Sequence, residues 1–264
     1  MSFFKFACAT ALLLALAACS TGQPGAVPAD VIIFGEQHDQ PDHQAQVARE
    51  VERLAGANAL GAIVIEMAEQ GRSTAGLPRD ADAARVREAL AWSGWEWSVY
   101  EGVVMAAVRA GVPVLGGNLP RHRMRSFMSD AAQDALVPTA ARELLSRAVR
   151  DGHCGLLPAT QEPGMVRIQI ARDRSMAEVV ASARTLAGER RVLLLTGGQH
   201  ASRDRGVPLH LAQRADAPRV HVVIFGDAAL ELRADELRPA RVTPRPDPCE
   251  GLRERLAKPP SSGS

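Results

Sequence analysis

Tyrosine is nearly missing from this chain: Tyr100 is the single one, and aromatic residues make up only 4% of 264. Packing must therefore rest on Ala, Val, Leu and Ile, and each aromatic present invites its own question. Net charge is missing too, since 31 Lys+Arg face 30 Asp+Glu for a formal +1. A protein that holds nucleic acid through counterion release carries a clear basic excess, so that class is excluded. A hydrophobic fraction of 46% excludes a disordered chain and allows one sizeable core. The longest apolar run, Phe6 to Ala18, is too short for a mature spanning helix, which needs ~20 such residues.

That run has another use. Lys5 precedes it and Leu16-Ala17-Ala18-Cys19 closes it, which resembles the lipobox of bacterial lipoproteins. The expectation is a signal peptide over 1–18, a lipidated Cys19 at the new N-terminus, and a linker over 19–29. Ser20 after the cysteine, by resemblance to such lipoproteins, implies the outer membrane. The bland alternative is an ordinary signal peptide with Cys19 incidental. Cleavage also discards Cys8, so only Cys154 and Cys249 remain as ordinary thiols. A disulfide between them and two free thiols both stay open, because sequence does not give their separation.

Five short apolar runs read as buried strands: Asp30–Gly35, Leu60–Met67, Val112–Gly117, Arg191–Gly197 and Arg219–Gly226. Helical spacing separates them, as in Val47, Val51 and Leu54 after Pro41, and in Val103, Val104, Ala107 and Val108 before Gly111. This alternation predicts an α/β fold, a three-layer α/β/α domain over 30–230 with a mainly parallel sheet of about five strands. The stretch of about 120–187 reads as a helical insertion or cap. The Arg/Pro-rich residues 231–264 read as a partly disordered tail, loosely packed or disordered beyond Cys249.

In open parallel sheets, ligands bind beyond the carboxyl ends of the strands. Those ends carry Glu36, Gln37, His38 and nearby His43, then Glu66, Asn118, Gln199-His200 and Asp227. Such a set can hold a divalent metal such as zinc, or work as acid and base; each residue alone can also simply satisfy loop backbone. Glu36, His38, Glu66 and His200 are the stronger candidates, because a charge at a buried strand exit must find a partner. A second group lies in the insertion. His153 sits in a tight loop from Asp151 to Pro158. Gln169, Arg172, Asp173 and Met176 share one helix face, for which a solvated face is the preferred reading. Arg203 and Arg205 follow His200 and can hold carboxylates if they border the cleft.

Six ordered fragments carry a resemblance: FGEQHDQPDHQ, IVIEM, VPVLGGNLPR, HCGLLP, MVRIQIARDRSMA and TGGQHASRDRGVP. Together they resemble the ChaN family of haem-binding, iron-regulated lipoproteins, grouped with erythromycin-esterase-like and Tiki/TraB-like proteins. The resemblance implies the three-layer fold and a role in haem uptake or storage. It also implies a homodimer holding two haems face to face through tyrosine, with histidine and basic groups at the propionates. Tyr100 is then the haem-iron ligand, with His153, Arg172, Arg203 and Arg205 as further cofactor contacts. The alternative for Tyr100 is a core tyrosine on an apolar helix face, with Trp92, Trp95 and Trp97 packing nearby. No CxxCH occurs, so the haem would be noncovalent. Expected partners are haem, the membrane through the lipid anchor, and an outer-membrane haem receptor. The related esterases imply a second function, a metal-dependent hydrolase. There Glu36 is base or ligand, His38 and His200 are ligands or proton carriers, and Glu66 is their charge partner.

Overall fold

The computed structural model describes residues 28–38, 40–226, 231–244, 246, 247, 249–251 and 253. The signal peptide, Cys19 and the strand-end Asp227 lie outside the described residues. Each expected strand forms: β1 (Val31–Glu36), β2 (Leu60–Glu69), β3 (Val114–Asn118), β4 (Arg191–Gly197) and β5 (Val220–Phe225). A sixth, β6 (Glu236–Arg238), comes from the segment expected to be a partly disordered tail. All pairings are parallel, in the order β3-β2-β4-β1-β5-β6.

The strands lack clean alternation because both faces are covered, yet their side chains divide by the period of two. Ile32, Phe34, Ile63, Ile65, Leu193, Leu195, Val223 and Phe225 pack on one side against α1 (Pro41–Gly56) and α3 (Trp97–Ala110). Val31, Ile33, Val64, Val192, Leu194, Val222 and Ile224 pack on the other against the second half of α6 (Glu162–Ala187). Two short helices, α7 (Gly198–Ala201) and α8 (Val207–Ala212), join that second face. Gly35 permits the close approach of α7, since a Cβ there would lie 2.6 Å from the Ala201 Cβ. The result is the expected three-layer α/β/α domain. Between β2 and α3 the short α2 (Ala83–Ala89) is capped by the Asp82 side chain, which accepts from the Arg85 amide.

The insertion is shorter than the sequence suggests. α4 (Arg121–Ser129), a 3-10 turn over Ala131–Leu136 and α5 (Thr139–Gly152) form its body. α5 packs through Ala141, Leu145 and Val149 on Val166 and Ile170 of α6. From Met176 onward α6 is an ordinary sheet-covering helix, because Met176, Ala177, Val180 and Ala183 meet the strands.

Up to Thr243 the tail is anchored to the domain. β6 pairs with β5, and Arg238 lies over the rings of Phe34 and Phe225. Buried Gln40 holds Thr243 twice, donating to its carbonyl at 3.2 Å and accepting from its amide at 2.7 Å. Cys154 and Cys249 are disulfide-bonded with their Cα atoms 5.4 Å apart, which closes the question left open above. No helix among the described residues is long and apolar enough to cross a membrane.

Candidate functional site

After β1 the chain turns to the α1–α3 face, and after β4, its neighbour in the sheet, to the α7–α8 face. The two exits diverge and leave a crevice at the carboxyl ends, the place where open α/β sheets bind ligands. A cavity of about 620 Å³ occupies it. Its polar floor is Glu36, His38, Glu66, Arg172, Gly197, Gln199 and His200, and its apolar walls include Trp95, Leu145, Val149, Ile224, Phe225 and Leu232.

Glu66 is the hub. Its side chain is 1% exposed, and one oxygen accepts from the Thr196 hydroxyl at 2.6 Å and the Gly197 amide at 2.8 Å. The other oxygen is ion-paired to Arg172 and faces the Nε2 atoms of His200 at 3.7 Å and His38 at 3.9 Å. Burial alone would raise the pKa of this carboxyl. The cations His200, Arg172 and His38, with the Thr196 hydroxyl, outweigh it and hold the group ionised well below the usual range. Arg172 is fully engaged, donating also to Asn118 Oδ1 and Gln169 Oε1, each at 3.0 Å. Asn118 in turn donates to the Glu66 carbonyl at 2.9 Å.

Glu36 differs from Glu66. Its Oε1 accepts from the Tyr100 hydroxyl at 2.9 Å and faces His38 Nδ1 at 2.9 Å. Its Oε2 is buried with no hydrogen-bond partner among the described residues. Burial pushes its pKa up despite the hydrogen bonds of His38 and Tyr100. His38 bridges the two carboxylates and packs on Trp95, ring centroids 4.6 Å apart. Burial disfavours its charge, but Glu36 and Glu66 more than compensate, so its pKa is raised. His200 is ordered from behind by fully buried Asp173, with Nδ1 to Oδ1 at 2.7 Å.

The four strand-end candidates Glu36, His38, Glu66 and His200 are thus brought together. Arg172 and His153 join them on the cavity wall. The other candidates lie elsewhere. Tyr100 is 1% exposed, packed among Trp92 and Trp95, and donates to Glu36; it is not on the cavity wall. The apolar face of α3 turns it onto the sheet, with its hydroxyl also 3.4 Å from His38 Nδ1. Arg203 points away, ion-paired to Asp235 with Nε–Oδ1 at 2.9 Å. Arg205 is buried behind the wall on Asp204 and the Glu231 carbonyl, touching the site only through Gln199. His43 stacks on Phe225 and accepts from the Gln37 amide. The polar strip of α6 is not a solvated face, since Arg172 and Asp173 serve Glu66 and His200. Among the described residues no three His, Cys, Asp or Glu groups are placed to hold a metal together, so the zinc centre draws no support. Sequence reasoning missed Thr196 and the apolar α5 wall. A hydroxyl inside the otherwise apolar β4 run was the available signal.

Fold and site together define an open-sheet α/β/α protein with a cavity at its switch point, mostly apolar with a floor of imidazole, carboxylate and guanidinium groups. The chain belongs to the ChaN family: the model described as "Haem-binding uptake, Tiki superfamily, ChaN" matches residues 25–211. Among solved structures it is similar to ChaN of Campylobacter jejuni, described as showing cofacial heme binding. That match has 25% identity and a TM-score of 0.63, covering 78% of this chain and 85% of that one. Weaker likenesses are to an erythromycin esterase, EreC, in its open conformation, and to the type III effector HopBA1. The first has 14% identity and a TM-score of 0.45, over 75% of this chain and 70% of that one. The second has 14% identity and a TM-score of 0.43, over 80% and 88%. No curated protein matches the chain.

Proposed function

We propose that this protein is a lipid-anchored haem-binding protein of the outer membrane that takes up or stores haem. The observation that carries the reading is the cavity, in a chain of a haem-binding family. Haem is a flat apolar macrocycle with two carboxylates and an iron that accepts nitrogen or oxygen ligands. Apolar groups such as Val149, Ile224 and Phe225, the indole of Trp95 and three imidazoles suit those parts, so the donor set fits the group. When bound, the iron supplies ligand exchange and redox chemistry; the chain supplies exclusion of water and orientation.

The lipobox-like run before Cys19 supports the anchor, and the Cys154–Cys249 disulfide supports an oxidising compartment such as the periplasm. The arginines expected at the propionates are committed elsewhere: Arg172 to Glu66, Arg203 to Asp235, and Arg205 to Asp204. Cations from a second copy would complete the site, which agrees with a homodimer formed on haem binding. An outer-membrane haem receptor is the partner that uptake would require. Hemin added to protein beginning at Ser20 should develop a saturable Soret band and move the protein to dimer size on a sizing column. Protein that gives no Soret band refutes the proposal.

One observation favours a second reading, hydrolysis by strand-end acid and base. The buried Oε2 of Glu36 lacks a hydrogen-bond partner among the described residues, and burial raises the pKa of this carboxyl, the direction a proton-transferring acid needs. Turnover of ester or peptide substrates that disappears in Glu36→Gln would support it, and no turnover would dismiss it.

A further inference from the structure

Three imidazoles line the cavity, His38, His153 and His200. Their surroundings divide them. His38 has Glu36 at 2.9 Å from Nδ1 and Glu66 at 3.9 Å from Nε2. His200 has Asp173 at 2.7 Å from Nδ1 and Glu66 at 3.7 Å from Nε2. Each of these rings therefore has Nδ1 on a carboxylate and Nε2 turned toward the Glu66 carboxylate. A metal at either Nε2 would have to share that nitrogen's side of the cavity with Glu66, which Arg172 already holds.

His153 is different. Its Nδ1 lies 2.7 Å from the Val149 carbonyl oxygen, which can only accept, so this nitrogen carries the hydrogen. Nε2, across the ring from that carbonyl, is then the nitrogen left to offer a lone pair to a metal. A back-bonded ring of this kind is what metal-ligating histidines use to fix tautomer and orientation.

The backbone beneath is fixed as well. His153 closes α5, its amide donating to Val149 and Arg150 carbonyls at 3.1 and 3.2 Å. The chain then reverses through Cys154 and Gly155, both with positive φ, at 59° and 68°. Cys154 is tied to Cys249. Leu145, Ala148, Val149 and Gly152 share the α5 face with His153, by their spacing of three and one, and all line the cavity. Gly152 adds clearance there, because a Cβ at that position would meet nothing within 4 Å. Tyr100, by contrast, is buried off the wall with its hydroxyl on Glu36.

We infer that His153 is the axial ligand through which this chain holds haem iron. The inference rests on the haem-binding reading. Binding forms one dative bond from the Nε2 lone pair to iron and releases no proton from the ring.

The test is hemin titration of the full-length protein in detergent, read by absorption, electron paramagnetic resonance and resonance Raman. Wild type should show a nitrogen-ligated haem, and His153→Ala should weaken hemin binding about tenfold or more and change the spectrum. Free imidazole should restore the wild-type spectrum in His153→Ala, an effect no structural defect would give. Tyr100→Phe should keep the wild-type spectrum. Tyrosinate bands in wild type that vanish in Tyr100→Phe, or an unchanged spectrum in His153→Ala, overturn the assignment while leaving haem binding intact. Wild type that binds no hemin at all overturns the haem reading, and this inference with it.

Discussion

Replacing Arg172 with Met removes the one permanently charged cation from Glu66, whose side chain is 1% exposed. At ~4 Å and an effective dielectric of about 20, a unit-charge pair is worth ~4 kcal/mol. Breaking a buried pair from one side typically costs about 3–5 kcal/mol, because the remaining charge stays buried. Arg172 is 17% exposed at the cavity, so solvent relieves part of that penalty and about 3 kcal/mol is expected. Domain stability of about 5–15 kcal/mol should leave the variant folded. Glu66→Gln, which keeps the Thr196 and Gly197 bonds but opposes an amide to Arg172, should cost about 2 kcal/mol. The double variant leaves no charge stranded, so the two losses should fall short of adding by about 2 kcal/mol. Urea unfolding followed by the fluorescence of Trp92, Trp95 and Trp97 measures all four proteins. The loss in Arg172→Met should also grow as pH rises. His38, at 3.9 Å, then carries more of the charge balance at Glu66, and it loses its charge as pH rises through its raised pKa. Additivity of the single effects within about 0.5 kcal/mol would refute Glu66 as a charge hub.

Two further outcomes concern the same frame. The raised pKa of His38 means that its charged form stabilises the fold fully below about 6.5, the ordinary imidazole value, and that this contribution fades as pH rises through the raised value. Urea midpoints of wild type should therefore decline above neutrality, and His38→Gln should flatten that decline; equal slopes would contradict the bridge to Glu36 and Glu66. Two glycines should respond oppositely to alanine in thermal melts. Gly102, exposed in α3 with open space at its Cβ position, should give about 0.5–1 kcal/mol of added stability. Gly116, where a Cβ would lie 2.1 Å from the Glu69 carbonyl oxygen, should lose several times that amount.

The strand ends were legible because strands covered on both faces read as apolar runs, so Glu36, Glu66 and His200 stood out where each run stopped. A carboxylate at such an exit has no water to rely on, and a partner is obligatory. Asp173 was harder to read. Helical spacing puts Arg172 and Asp173 side by side on a polar strip, and a polar strip most often faces water. Only the packing of α6 across the strand ends turns that strip inward, onto Glu66 and His200. β6 was illegible for a different reason. Glu236-Leu237-Arg238 has neither length nor apolar content, and it becomes a strand because the free edge of β5 offers it hydrogen bonds.

By itself the sequence determined the layer order, the parallel sheet and the chemistry at its carboxyl edge, since apolar periodicity and the residues ending each run are local properties. The scarcity of tyrosine was also a sequence fact, and it reduced the family's expected ligand to Tyr100. Tertiary structure decided what that residue does. Its helix face turns toward the sheet, and its hydroxyl finds Glu36 rather than the cavity. Tertiary structure likewise joined Cys154 to Cys249 and set His153 on the apolar wall. Direction and distance between elements far apart in the chain come from packing alone, and packing selected which polar groups face the ligand.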